Sequence, residues 1–336
     1  TAWYHIVVQV NSGTATSYVN NVLTHNAVGG GAFTLTTGSN ETRIGSYADG
    51  DYYFNGYMAE IHLVDGSVVA PTSFGFTDSQ TGIWMPQKYT GSHGTNGFYL
   101  NFLDNSSTSA LGKDTSGNGN DFTTNGFSVS SGYGNDSVTD TCTNNFCTMN
   151  PLDRDSNIVQ PTEGGLRIST SSNSWCGVKG TMAVSSGKWY YEFKTTDANI
   201  FCGWCSDDLD TFLGNPQDNN SAMTAGVLIF CDNGKYHLDT GGSSNRINYS
   251  SGLSSGQVLG CAIDLDNNTA QFYKNGTALG VINISSSKLA TKQVHPYFIC
   301  NFNNQTYTFN FGQQPFAYTP PTGYKAWSSN NIPPTT

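Results

Sequence analysis

The densest group of oxygen donors in the chain is Asp114-Thr-Ser-Gly-Asn-Gly-Asn-Asp121. Asp114, Asn118, Asn120 and Asp121 put carboxylates and amide carbonyls into a Gly-rich loop, the ligand chemistry that hard cations such as calcium take. The same residues also make an Asx-turn loop with no metal, because short Asx side chains bond their own backbone. Asp264 and Asp266 form a second, weaker group in which the turn reading is preferred. The expectation is no cofactor, with Ca2+ at the 114–121 loop as the alternative.

Glycan hydrolysis needs two carboxylates about 5–10 Å apart across the scissile bond. On one strand that means acidic residues at i and i+2 or i+4. Glu60 stands alone on its strand, and Asp65 falls on the opposite face. Glu41, Glu163 and Glu192 have no close same-face partner. The chain has no G-x-S-x-G, H-E-x-x-H or phosphate-loop motif. Its six histidines are scattered singly, and a lone His on a strand is more often a packed residue than a ligand. No enzyme activity is expected.

All eight cysteines lie between Cys142 and Cys300. Cys202 and Cys205 form C-x-x-C, but on a strand i and i+3 point to opposite faces, so a redox or zinc pair is not supported. Cys261 and Cys300 sit where strands take small buried hydrophobes. Reduced, structural cysteines are expected, with Cys142 and Cys147 the sequence-near pair in a loop.

The elements that carry these residues read as strands. The stretch Val258 to Leu265 alternates, with Leu259, Cys261, Ile263 and Leu265 on one face. Asp266-Asn-Asn268 supplies the turn, Gln271-Phe-Tyr-Lys274 returns, and Asn275-Gly276 makes a second tight turn of type I′. Trp3 to Val10 is another strand, followed by Thr42–Ser46 and Tyr53–Asp65. Asn20-Asn21, Gly29–Gly31 and Asp49-Gly50 punctuate them.

Composition agrees with an all-β chain. Aromatic residues are 13% of 336, enough to fill sandwich cores. Charged residues are 11%, against roughly 25% in ordinary soluble domains. The net charge of −10, with no Lys/Arg cluster, disfavours phosphate-backbone recognition, so no nucleic acid partner is expected. No apolar run approaches the ~20 residues of a membrane span, and no signal peptide is seen.

The hairpin resembles the central hairpin of SPRY (B30.2) domains. Val184-Ser-Ser-Gly-Lys-Trp-Tyr-Tyr-Glu-Phe193 is similar to the family's opening strand, Ile200-Phe-Cys-Gly-Trp204 to its h-h-G strand, and His295–Ile299 with Tyr307–Gly312 to its closing strands. The resemblance implies a non-enzymatic domain that binds partners through loops at one end of the sandwich. The longest such loop is Ser206–Asn220, with Asp207, Asp208, Phe212, Asn215 and Asn219. A second is Cys300–Gln305, with Asn301, Phe302 and Asn303. Amides hydrogen-bond sugar hydroxyls or peptide backbone, and aromatics stack on apolar faces. Ordinary solvated loop is the competing reading.

The first segment resembles the later strands of laminin-G-like (concanavalin A-like) jelly rolls, on Trp3, Ile44-Gly45 and Gly56-Tyr-Met-Ala-Glu-Ile61. That family's first strands, which would precede Trp3, are not in the sequence. A fragment of a longer polypeptide, or strands supplied from elsewhere, is the expectation. The order of modules, the D-x-S-G-N-G-N-D loop, the Thr143-Asn-Asn-Phe-Cys-Thr-Met-Asn-Pro-Leu-Asp153 connector and the Phe311-Gly-Gln-Gln-Pro-Phe closure are similar to large structural proteins of tailed bacteriophages, marine ones in particular.

The fold expected is therefore all-β, with two antiparallel β-sandwich (jelly-roll) modules and helix below about a tenth of residues. The laminin-G-like module covers 1–95, a bridging segment 96–160, the SPRY module 161–318 and a Pro-rich linker or tail 319–336. The resemblance implies a tail or head fibre of a virion that binds a host-surface glycan or protein, or other virion proteins, and a homo-oligomer, by analogy a trimer. The alternatives are a carbohydrate-binding or glycan-hydrolysing concanavalin A-like protein and a peptide-binding SPRY adaptor.

Overall fold

The computed structural model describes residues 3–28, 42–46, 52–54, 56–80, 82, 84–130, 133–141, 143–195, 200–209, 226–239, 244–301 and 303–332. Two compact units are present. Unit 1 is 1–129 with 141–143, and unit 2 is 130–140 with 144–336. Almost everything regular is strand. The α-helix among the described residues is the single turn Thr108–Leu111, capped by Ser107 Oγ accepting from Ala110 N.

In unit 1, β1 (Ile6–Asn11), β2 (Thr14–Val19) and β3 (Val22–Val28) form an antiparallel sheet. Asn20 and Asn21 turn the second hairpin with φ of 48° and 67°, the left-handed pair a type I′ turn requires. β4 (Ile61–Leu63) pairs with β7 (Phe98–Leu100), and β5 (Gly75–Thr77) with β6 (Trp84–Pro86). β1 alternates as its sequence requires, yet its apolar face is the outer one. Ile6 and Val8 are 66% and 65% exposed, while Gln9 turns inward and its Nε2 donates to Val69 O at 2.6 Å.

Unit 2 is a two-sheet sandwich. Its strands are β8 (Met149–Arg154), β9 (Arg167–Ser169), β10 (Cys176–Gly180), β11 (Lys188–Thr195), β12 (Ile200–Ser206), β13 (Gly226–Phe230) and β14 (Lys235–Asp239). They continue with β15 (Ser244–Asn248), β16 (Val258–Asp264), β17 (Thr269–Lys274), β18 (Thr277–Asn283), β19 (Val294–Cys300), β20 (Thr306–Asn310) and β21 (Lys325–Ala326). One sheet runs β15-β14-β13-β12-β19-β10-β8, the other β18-β17-β16-β11-β20-β9, with β21 added to β11.

The inner faces interdigitate through aromatic rings. Phe193 lies 5.4 Å from Phe298, and Trp204 lies 5.3 Å from Phe272. The central hairpin forms as read: Leu259, Cys261 and Ile263 join the core, and Asn275-Gly276 turns with φ of 47° and 77°. Asp264 is a turn residue, accepting from Asn267 N and Nδ2 at 3.0 and 2.8 Å. The described cysteines are free and buried. Cys202 faces the core and Cys205 the outer face, as strand alternation demands. Cys142 lies outside the described residues.

Two expected boundaries fall elsewhere. Pro161–Gly165 is a turn inside unit 2, not its border, because β8 pairs with β10 and Cys147, Met149 and Ile158 belong to the core. Of the segment expected as a linker, 319–336, the described residues up to 332 return a short strand and a buried indole to the sandwich. Trp189 pairs with Lys325, Tyr190 with Ala326, and Trp327 is 1% exposed.

Candidate functional site

The two loops expected to form one recognition surface leave opposite ends of the same pair of strands. In the β12–β19 register, Ser206 faces Val294 and Ile200 faces Cys300. The 207–220 loop follows Ser206, and the 301–305 turn follows Cys300. Six residue steps at ~3.3 Å put their roots about 20 Å apart. The described roots of the two loops are therefore separate.

At the first end the loop's root is fixed to the sheet. Asp207 N donates to Gln293 O at 2.9 Å, and Leu209 N to Ser206 O at 3.3 Å. Leu209 then packs on the outer face with Phe201, Leu228 and Tyr297. Beneath it lies Lys179, a cation with a side chain only 7% exposed. Its Nζ donates to Leu209 O at 2.7 Å and sits 3.4 Å from Asp153 Oδ2. A buried ammonium needs such partners, because desolvation would otherwise expel it.

Asp207 and Asp208 are left exposed on this anchored root. Asp208 accepts from Ser206 Oγ, and this bond holds its carboxyl below the ordinary range against the opposing effect of burial. Lys288 and Lys292 add to the lowering, with Lys292 Nζ 3.7 Å from Asp208 Oδ2. Phe212, Asn215 and Asn219 lie outside the described residues.

The other end is knit together internally. Asn303 N donates to Asn173 Oδ1, and Asn304 N to Thr170 O, both at 2.9 Å. Asn301 is half-buried and Asn303 exposed, while Phe302 lies outside the described residues.

The 114–121 loop uses its donors on itself. Asp114 accepts from Tyr99 N, Ser116 N, Ser116 Oγ and Asn120 N at 2.8–2.9 Å. Asp121 accepts from Asp114 N at 2.9 Å and pairs with Lys113 at 2.5 Å. The amide nitrogens of Asn118 and Asn120 reach the carbonyls of Gly94, Thr95 and Gly97. Among the described residues no group of three or more His, Cys, Asp or Glu is placed to hold a metal ion. Burial opposes ionisation of Asp114, but its four donors outweigh it and hold the carboxyl down at about 2.

A depressed carboxylate stabilises the fold above its unfolded value of 3.8 and loses that contribution as pH falls toward 2. Asp114→Ala is expected to cost about 2–3 kcal/mol, since several donors lose their acceptor. Millimolar calcium is expected to leave the melting temperature unchanged. A rise of several degrees on adding calcium would instead establish a cation site.

Lys179 was not legible as a site residue. It reads as one more outward position on a strand, and the loop that covers it comes thirty residues later.

Residues 188–314 match the model of the SPRY domain, and residues 1–72 match that of the concanavalin A-like lectin/glucanases superfamily. The ATP-dependent RNA helicase DDX1 of Xenopus laevis is 27% identical over 187 residues, 54% of this chain and 23% of that protein. Ddx1 of Drosophila melanogaster is 31% identical over 183 residues, 53% of this chain and 23% of that one. The chain thus spans about a quarter of the length of these curated relatives. The solved SPRY domain of human HERC1 is 14% identical and covers 49% of this chain and 99% of its own, with a TM-score of 0.40. The TRIM65 PSpry domain is 16% identical and covers 48% of this chain and 89% of its own, with a TM-score of 0.39. The chain thus carries a region that matches the concanavalin A-like model, followed by one that matches the SPRY model.

Proposed function

We propose that this chain is a non-enzymatic recognition protein whose SPRY sandwich takes its partner at the 206–220 end. The observation that carries the reading is the anchored root. Lys179, Gln293 and the Leu209 contact fix the base of the loop, while Asp207 and Asp208 remain exposed. Binding loops act best when a rigid scaffold presents them, since less ordering is needed on association. The 301–305 turn, tied to Thr170 and Asn173, serves better as closure of the sandwich.

The partner surface fits amides and carboxylates together: a glycan with free hydroxyls, or a polar peptide. The order of modules and the 11% charged composition support a virion appendage as the setting. Repetition there multiplies weak contacts, and a symmetric homo-oligomer, a trimer by analogy with fibres, follows from that use. The helicase relatives share a stretch covering about a quarter of their length, and ATP-driven unwinding is not part of this proposal.

Two assays test it. Arrays of glycans and peptides probed with the folded chain are expected to show binding, and parallel incubations no release of reducing sugar. Sugar release would replace the reading with a glycan hydrolase. Mass spectrometry of purified particles should detect the chain as a virion component, and its absence would remove the virion setting while leaving the binding proposal to the arrays.

A further inference from the structure

Unit 1 brings together histidines that are far apart in sequence. His62, on β4, places Nδ1 3.0 Å from Nε2 of His93, in the loop before β7. The two rings lie 5.4 Å apart and nearly parallel, at 10°. Tyr99, on β7, stacks on His62 at 4.1 Å, and Tyr89 stands edge-on to both imidazoles. Phe74 packs 5.1 Å from His62, and His5, stacked on Trp84, closes the group. Two carboxylates among the described residues act on the group. Glu60 accepts from Tyr99 Oη, and Asp114 acts on His93.

An imidazole–imidazole hydrogen bond needs one lone pair. It survives a first proton, which leaves a cationic donor and a neutral acceptor. A second proton removes the acceptor and sets two like charges against each other. We propose that the His62–His93 contact is a proton-operated latch, holding the 89–93 loop on β4 at neutral pH and releasing it when both rings are charged. Release also frees Asp65 N, which donates to His93 O at 2.9 Å.

The electrostatics agree with the geometry. Burial first, then His93 and His5, lower His62 from 6.5 to about 4. Burial also lowers His93, against the pull of Asp114, and burial lowers His5. The folded state then binds fewer protons than the unfolded chain below pH 6.5. Stability therefore falls as pH drops from 6.5 toward about 4, a window above that of Asp114.

Hydrogen exchange of the full chain, corrected for the intrinsic pH dependence, reads the latch directly. Peptides spanning 61–65 and 89–99 are expected to lose protection on the order of 30-fold between pH 7 and pH 4.5, allowing for the partial exposure of His62. His62→Phe keeps a ring against Tyr99 and cannot titrate, so its loss should shrink to a few-fold. His93→Gln should flatten the response in the same way and decides the matter if His62→Phe fails to fold. Unchanged protection in the parent chain, or the same 30-fold loss in the folded variants, would overturn the proposal. So would a His62 imidazole resonance titrating above pH 6.

Discussion

Ending the chain at Tyr318 is expected to unfold the C-terminal sandwich rather than trim a tail from it. The segment beyond that residue supplies Lys325 and Ala326 as a strand on β11. Trp327 is 1% exposed and lies 5.5 Å from Trp189. Its N donates to Phe311 O at 3.0 Å, and its O accepts from Cys147 N at 2.8 Å. Gly312, at φ 110°, leaves room for this strand: a Cβ there would sit 2.4 Å from Cβ of Ala326.

Trp327→Ala in the full chain should cost about 3–5 kcal/mol, the range for removing a buried indole. At roughly 2–4 °C per kcal/mol for a domain of this size, that lowers the melting temperature by about 6–20 °C. The truncation should cost more, since it also opens Trp189 and Phe311 to water. Melting temperatures within two degrees of the parent for both chains would show that the tail is dispensable.

Glu192→Ala is the second large effect. Glu192 is fully buried on β11 and accepts from Ala317 N at 2.7 Å, Tyr318 N at 2.9 Å and Tyr190 Oη at 3.1 Å. Alanine leaves three donors without their acceptor, at a cost of about 3–5 kcal/mol. Gln, with one carbonyl oxygen and an NH2 facing donors, should fall between the two. Burial raises the Glu192 carboxyl above its ordinary 4.5, against those three hydrogen bonds. The raised value means the folded state holds the proton more tightly. The contribution of this group is fully present below 4.5 and is lost as pH rises through the folded value. Urea unfolding of the parent and Glu192→Gln across pH 4–8 checks the sign: the stability difference should drift in favour of Gln as pH rises, and a drift the other way would contradict it.

What the residues specify by themselves is local. Alternation from Val258 to Leu265 places Leu259, Cys261 and Ile263 on the inner face, and Asn275-Gly276 dictates its turn. Strand geometry alone separates Cys202 from Cys205. What could not be read was pairing. Both candidate loops look equivalent until β12 is known to lie antiparallel to β19, which sends them to opposite ends. Lys179 becomes a buried cation only through a loop thirty residues away. The Pro-rich tail shows the same limit. Composition does not tell whether such a segment meets water or, as at Lys325–Ala326, joins β11. His62 and His93 stand alone in sequence because the contact that joins them is non-local.

The most direct measurement of the recognition proposal is affinity at the two ends of the β12–β19 pair. For the glycan or peptide selected by the arrays, Kd is compared for the parent chain, an Asp207→Ala/Asp208→Ala variant and an Asn301→Ala/Asn303→Ala variant, each verified as folded. The first variant is expected to bind at least tenfold more weakly, about 1.4 kcal/mol or more, and the second within twofold of the parent. Loss confined to the Asn301/Asn303 variant, or full binding by both, would contradict the assignment of the partner to the 206–220 end.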